Sequence, residues 1–328
     1  MHSARILLSI YPANVPANIN LSVFQYRYAQ NMSMNDGIKI DGARVQRRGR
    51  GSATYAGIGG VGIIGMIVYF LLTGQMPDSS TFQGTENNNV TSADGADYSE
   101  ECRTGADANA HTECWMVATA ESLDAYWADA LPAQTGTAYS QPTFVIFDGA
   151  TTTGCGNATA SIGPFYCPAD QTVYLDISFF NQLETQFNTE NSTLAQAYIV
   201  AHEFGHHLQN ELGYLDRIER GDTGANSTQV RSELQADCLA GVWLRQASTT
   251  IDPESGEPFL VPPTEAELQT AIDAASAVGD DAIMENAGLT VNTESFTHGS
   301  SEKRMQWLMR GYDGGSIASC DTWSVATP

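Results

Sequence analysis

The stretch from Leu194 to Leu212, "LAQAYIVAHEFGHHLQNEL", decides both the fold and the chemistry. Apolar side chains recur at Leu194, Tyr198, Val200, Ala201, Phe204 and Leu208 with no proline between them, so the stretch reads as one long helix. Three of the six histidines of the chain lie inside it. At 3.6 residues per turn, His206 sits about 40° around the axis from His202 and one turn on. Their Cβ atoms are then about 5–6 Å apart on one face. That lets two imidazole nitrogens meet a single Zn²⁺ at roughly 2.0–2.1 Å each. His207 lies about 140° from His202, which takes it off that face and makes it a packed or supporting histidine. Glu203 borders the same face at an angle to the metal, where a carboxylate can take a proton from water and return it to a leaving amine. This is the H-E-x-x-H arrangement. Its bland rival is chance occurrence on a solvated helix. Two features oppose that. The surroundings are apolar, so half-buried polar groups need a purpose. Gly205 costs a helix interior about 1 kcal/mol relative to Ala and predicts the close approach of another backbone segment.

A catalytic zinc takes three protein ligands and keeps a fourth position open. The candidate source of the third is "SELQAD" (Ser232–Asp237), on a second helix predicted over Gln229–Gln246. Glu233 and Asp237 are four residues apart and face the same way. Glu233 can complete the metal site, and Asp237 can accept a hydrogen bond from the outer nitrogen of His202 or of His206. An isolated E-x-x-x-D is usually a solvated helix face. Its position after the H-E-x-x-H helix gives it weight.

Around these two helices the reading is coarse. A helix spans Glu113–Leu131, with Trp115 and Trp127 as core residues; an apolar strand covers Thr143–Gly149, and Thr172–Phe180 is a second strand running into a helix. Thr264 and Glu267 form a capping box ahead of a helix in Pro263–Asp281. A last helix follows Ser300 or Ser301. Few early strands and many late helices give an α+β class.

The motifs "AYIVAHEFGHHLQ", "RSELQADCLAGVW", "SFTHGSSEKRMQWLMRGYDGG" and "CGNATASIGPFYCPADQTVYLDISFF" resemble the putative neutral zinc metallopeptidase family of bacterial membrane-anchored proteins (YpfJ-type). The resemblance covers most of residues 41–328. It implies a zincin-like metallopeptidase domain, mostly helical with a small antiparallel sheet. It also implies a gluzincin-type site with His202, His206 and Glu233 on one Zn²⁺ and Glu203 as general base and acid. "ELQAD" and "THGSSEKR" are similar to HtpX-type membrane proteases as well. Peptide hydrolysis needs a group for the oxyanion besides the metal. His298 is the candidate by its position after the glutamate ligand, with a structural role as its alternative. Arg304, which could instead pair with an acid, and Tyr312 are rivals. "TVYLDIS" or "TFVIFDG" could supply the sheet edge to which substrate backbone adds.

The net charge of −23 is uneven: residues 1–50 hold seven Lys/Arg against two acids, and the rest is strongly acidic. Such a surface excludes nucleic acid as the partner of the main domain. No charge occurs between Arg50 and Asp78, and residues 53–74, "ATYAGIGGVGIIGMIVYFLLTG", are long enough to cross a bilayer. With Arg44, Arg47, Arg48 and Arg50 just before them, the positive-inside rule gives residues 1–50 as a cytoplasmic tail. Residues 1–33 lie outside the resemblance, and Met34 is an alternative start. Residues 75–100 then form a flexible linker and residues 101–328 an extracytoplasmic domain. All six cysteines fall in that domain. An oxidising compartment favours disulfides, and local spacing favours Cys102–Cys114 and Cys155–Cys167, leaving Cys238–Cys320. Some free buried cysteines are the alternative.

The leading functional expectation is a zinc metallopeptidase anchored in the cell membrane and acting on peptides or proteins. The alternatives are a non-catalytic zinc-containing scaffold and a zinc hydrolase of another amide, such as a cell-wall peptide.

Overall fold

A computed structural model describes residues 33–48, 96–187 and 192–328. The domain is mostly helical with one small sheet. Strands β1 (Val45–Arg48), β2 (Ala96–Asp97), β3 (Thr143–Phe147), β6 (Phe165–Cys167) and β7 (Thr172–Asp176) form that sheet in the order β2-β1-β3-β7-β6. The β1/β3 and β3/β7 pairs are parallel, and the outer β1/β2 and β6/β7 pairs are antiparallel. β4 (Ala150–Thr153) and β5 (Gly156–Thr159) make a separate antiparallel hairpin.

Helices α1 (Gly105–Ala110), α2 (Thr112–Thr135), α3 (Ser178–Phe187), α4 (Thr193–Glu211), α5 (Thr228–Gln246), α6 (Glu265–Ala277), α7 (Asp280–Asn286) and α8 (Ser301–Gly314) cover the sheet and pack on one another. Their starts are set by short polar side chains that accept from otherwise orphaned amides. Ser192 caps α4, Ser227 caps α5 and Ser300 caps α8, while Thr264 and Glu267 close a capping box on α6. Trp115, Trp127, Trp243, Tyr198 and Phe204 are fully buried in the main core. Phe204 of α4 packs edge-on against Phe144 of β3 at 6.4 Å between centroids. Three disulfides staple the domain: Cys102–Cys114, Cys155–Cys167 and Cys238–Cys320.

The membrane reading does not survive this topology. Among the described residues no helix is long and apolar enough to cross a membrane, and residues 53–74 themselves lie outside them, as do residues 1–32. The flanking strands carry the stronger argument. Gln46 and Arg47 of β1 pair with Asp97 and Ala96 of β2, and all of β1 pairs with β3. A single crossing between residues 53 and 74 would put β1 and β2 on opposite faces of a bilayer, which their shared ladder forbids. The expected cytoplasmic tail therefore has part of its length built into the domain. The single-pass anchor, the membrane as partner and the cell-membrane localisation with a cytoplasmic N-terminus and an extracytoplasmic domain are all withdrawn.

Three of the four arginines that suggested that orientation are engaged inside the fold, and Arg50 lies outside the described residues. Arg44 pairs with Asp124 at 2.5 Å. Arg47 lies over the Tyr98 ring at 5.4 Å and Arg48 over Tyr174 at 5.5 Å. Cation–π stacking of this kind holds a guanidinium on an aromatic face without a membrane.

Helices α4, α5 and α8 cross at glycines. A Cβ on Gly205 would stand 2.9 Å from Ala236 Cα, one on Gly241 would run into Leu308 O, and one on Gly311 into Cys238 O. Gly205 thus faces the backbone approach that its sequence position predicts. Gly205→Ala should cost about 1–3 kcal/mol through overpacking, and Gly311→Ala more, because both would press on backbone but the added Cβ at Gly311 would overlap Cys238 O far more deeply than the one at Gly205 overlaps Ala236. Urea unfolding of both variants tests this; an unchanged midpoint in either would show that the crossing is slack.

Candidate metal and catalytic site

The site lies where α4 and α5 face each other. His202 and His206 leave α4 one turn apart, and Glu233 leaves the second turn of α5 opposite them. His202 Nε2 is 3.2 Å from one Glu233 oxygen, and His206 Nε2 is 3.5 Å from the other. One ligand atom from each of the three residues lies within 4.8 Å of the others, the one such cluster among the described residues. Donors placed 2.0–2.1 Å from a common tetrahedral centre are about 3.3 Å apart, so the spacing fits one ion.

The back sides of the imidazoles are tethered, which fixes which nitrogen points inward. His202 Nδ1 is 2.8 Å from Asp237 Oδ1, so of the two histidines open to Asp237 it is His202 that it holds. His206 Nδ1 is 2.9 Å from Gln209 Oε1. Gln209 in turn donates to Ser232 O at 2.7 Å and accepts from Ser232 Oγ at 2.9 Å, joining α4 to α5. Asp237 is wholly buried and carries more than one partner. Tyr198 donates to it at 2.6 Å, and Arg304 grips both oxygens at 2.8 and 2.9 Å. Arg304 is therefore an ion-pair partner of an acid, and its remaining nitrogen donates to Val278 O at 3.2 Å.

Electrostatics follow from burial. Burial alone pushes the His202 imidazole down, but Asp237 and Glu233 more than offset it and lift it to about 10. Burial opposes ionisation of Glu233, yet His206 and His202 hold its carboxyl well below the usual range. Glu203 goes the other way: burial raises it, partly countered by the two imidazoles and by a hydrogen bond from the Tyr166 backbone N–H. A metal binds imidazole only through an unprotonated nitrogen, so an ion here would displace the proton that Asp237 and Glu233 favour on His202; Glu203, Glu233 and Asp237 would then face a single Arg304. A divalent cation would balance the remainder, and buried charge demands such compensation.

His298 faces the same cleft from the loop before α8. Asp280, at the start of α7 and fully buried, fixes it. One Asp280 oxygen accepts from the backbone N–H groups of Thr297, His298 and Gly299 at 2.7, 2.7 and 2.9 Å. The other lies 3.2 Å from His298 Nδ1, which also meets Thr297 Oγ1 at 2.9 Å. Burial pushes the His298 imidazole down, but Asp280 and then Glu233 raise it overall. Tyr312 is not among the cleft-lining residues and sits under the Arg245 guanidinium at 5.8 Å. His207 points away from the cleft, buried, with Nδ1 3.1 Å from Tyr166 Oη and Nε2 2.6 Å from Ser140 O.

The cleft has a volume of about 450 Å³, within the roughly 300–1,000 Å³ of pre-formed ligand sites. One wall is β6 with its flanking residues Gly163, Pro164 and Pro168. β6 ends the sheet, while β3 and β7, the two strands suggested as a substrate edge, are both interior.

Comparison with known proteins adds the family. The family described as Putative neutral zinc metallopeptidase matches residues 28–323. The chain belongs to this family. It is 47% identical over 234 residues to the uncharacterized protein Rv2575 of Mycobacterium tuberculosis, covering 71% of this chain and 78% of that protein. It is 40% identical over 193 residues to the uncharacterized protein YpfJ of Escherichia coli K12, covering 57% of this chain and 63% of that protein. No solved structure matches the chain. Family membership and the His202/His206/Glu233 cluster together make zinc the candidate cofactor of this site.

The site contacts of four residues escaped the sequence reading: Gln209, Tyr166, Asp280 and Tyr198, the last read only as an apolar helix position. Gln209 had a usable signal, since it lies three residues after His206 on the same helix. Asp280 had none, because it reaches His298 from another element. The Asp280 carboxyl is opposed by burial but held down chiefly by His298 and the backbone amides. A carboxyl lower in the folded than in the unfolded state contributes stability above its unfolded pKa, and that contribution is lost as pH falls through its folded pKa. Asp280→Asn should therefore cost roughly 1–3 kcal/mol at neutral pH and lose less stability than wild type on acidification. Urea titrations from neutral pH into acid test this, and equal losses in both proteins would remove Asp280 from the account.

Proposed function

We propose that this domain is a zinc-dependent peptidase. The observation that carries the reading is the meeting of two inward-facing imidazole nitrogens and the Glu233 carboxylate beside a second buried carboxylate, Glu203, on the wall of an open cleft. A site that keeps zinc only for stability has no use for Glu203 or for the cleft.

His202, His206 and Glu233 would hold one ion, which supplies Lewis acidity to an attacking water and to the scissile carbonyl. Asp237 accepts the Nδ1–H of His202 and so presents its Nε2 lone pair inward. Glu203 takes a proton from the water and delivers it to the leaving amine nitrogen. Its raised pKa suits both transfers, and the Tyr166 amide keeps its carboxylate aimed. His298, held through Nδ1 by Asp280, has Nε2 left to donate to the carbonyl oxygen as negative charge develops there. Arg304 is committed to Asp237 and acts through it as a positioning residue. Substrate backbone would lie along β6, the sheet edge that borders the cleft.

Glu203→Gln should keep one zinc per chain and an unchanged melting temperature while hydrolysis of peptides falls about 10²–10⁴-fold. His206→Ala should lose the zinc. Metal analysis paired with peptide cleavage checks both, and full activity in Glu203→Gln would end this reading.

A further inference from the structure

We infer that the cleft selects substrates by a bulky apolar side chain next to the scissile bond and cuts internal bonds rather than trimming chain ends. This rests on the peptidase reading above. Apolar residues from several elements line the cleft together with the reacting groups. Ile199 precedes His202 by one turn on α4 and lines the same cleft, with Phe179 of α3 also on its wall. Val278, whose carbonyl accepts from Arg304, and Ile283 line it too, and between them in sequence stands Asp280, which holds His298. Apolar surface therefore begins one turn from His202, at Ile199, and also flanks in sequence the carboxylate that holds His298, and a side chain next to the scissile bond would meet it. It continues outward to Ile162, whose 39% exposure makes it one of four exposed large apolar residues among those described.

The charged lining residues are committed elsewhere. Arg304 is bound to Asp237 and to Val278 O. Glu233 lies between the two imidazoles, and His298 is tied to Asp280. Among the described lining residues no cation remains to receive a terminal carboxylate or an acidic side chain. Glu203 is tied to the Tyr166 amide and is needed for proton transfer. A charged end or side chain entering here would be stripped of water against Phe179, Ile199 and Ile283 without a partner, which is costly. A leucine or phenylalanine side chain would instead gain from leaving water.

The test uses the full, zinc-loaded chain with a peptide library in two forms, free-ended and N-acetylated with C-terminal amide, and cleavage sites read by mass spectrometry. Both forms should be cut, with Leu, Ile, Phe or Met flanking one side of most cleaved bonds. Changing that residue to Ala in a good substrate should lower kcat/KM about 10–200-fold. It should also weaken binding of the same blocked peptide to the inactive Glu203→Gln variant, measured by calorimetry, by roughly tenfold or more. Phe179→Ala and Ile218→Arg, the latter at a partly exposed residue of the cleft lining, should each broaden the preference; the partly exposed site guards against misfolding of the buried one. Cleavage without side-chain preference, a preference for charged residues, or a need for a free end overturns the inference and leaves the peptidase reading standing. If wild type cuts nothing and Glu203→Gln binds nothing, the peptidase reading fails and takes this inference with it.

Discussion

The buried carboxylate of Asp237 is the constraint on which the rest depends. It has no solvent exposure and takes hydrogen bonds from Tyr198 and His202 of α4 and two from Arg304 of α8, while itself belonging to α5. A buried ion left unpaired is severely destabilising, so the three helices must arrive together or not at all. Aspartate has a short side chain, and one carboxylate can reach all three donors only if the helix axes are unusually close. Gly205 against Ala236 and Gly241 and Gly311 at the α5/α8 crossing supply that closeness. Helix packing and ring orientation at the candidate site are thus one requirement, met by glycines at the helix crossings and a carboxylate between the helices.

A second set of contacts ties α4 to α5 and to the sheet edge. Gln209 bridges to Ser232 and Gln235 of α5 and holds His206, while His207 and Asn210 meet the Tyr166 hydroxyl on β6. The tyrosine whose amide aims Glu203 is therefore itself held by the helix that carries Glu203. Sheet edge and helix are locked in register around the cleft, so the separation of β6 from the imidazoles is set by side chains that never enter the reaction.

What could be read from the sequence was what is local. The helical period places His202 and His206 on one face and Glu233 with Asp237 on another, and Thr264 with Glu267 declares a helix start within four residues. Features that depend on where a chain returns were illegible. β1 is the clearest case. "RVQRR" before an uncharged run has the composition of a membrane flank, and nothing within it reveals that its arginines stack on Tyr98 and Tyr174, far along the chain. β6 was hidden for a related reason. Three residues between Pro164 and Pro168 are too few to show alternation, yet they end the sheet and border the cleft, while the two legible strands lie in its interior. Asp280 looked like one acid among many until the backbone of 297–299 closed around it.

The two glutamates of the cleft show how surroundings divide labour between identical side chains. Both are largely buried and within reach of the same imidazoles, yet their affinities for protons diverge. Glu233 is opposed by burial, but it lies between two imidazole nitrogens that favour its charge, so it stays ionised and is suited to hold a cation. Glu203 sees the imidazoles less directly, and burial prevails, so it binds a proton more readily than an exposed glutamate and is suited to carry one. Environments that push paired titratable groups apart are how one site separates metal binding from proton transfer. Exchanging the two roles would require moving the helices, because Glu233 reaches both nitrogens only from α5, while Glu203, next to His202 on α4, turns instead toward β6. The division of roles is thus a consequence of the α4/α5 crossing that Gly205 and Asp237 fix.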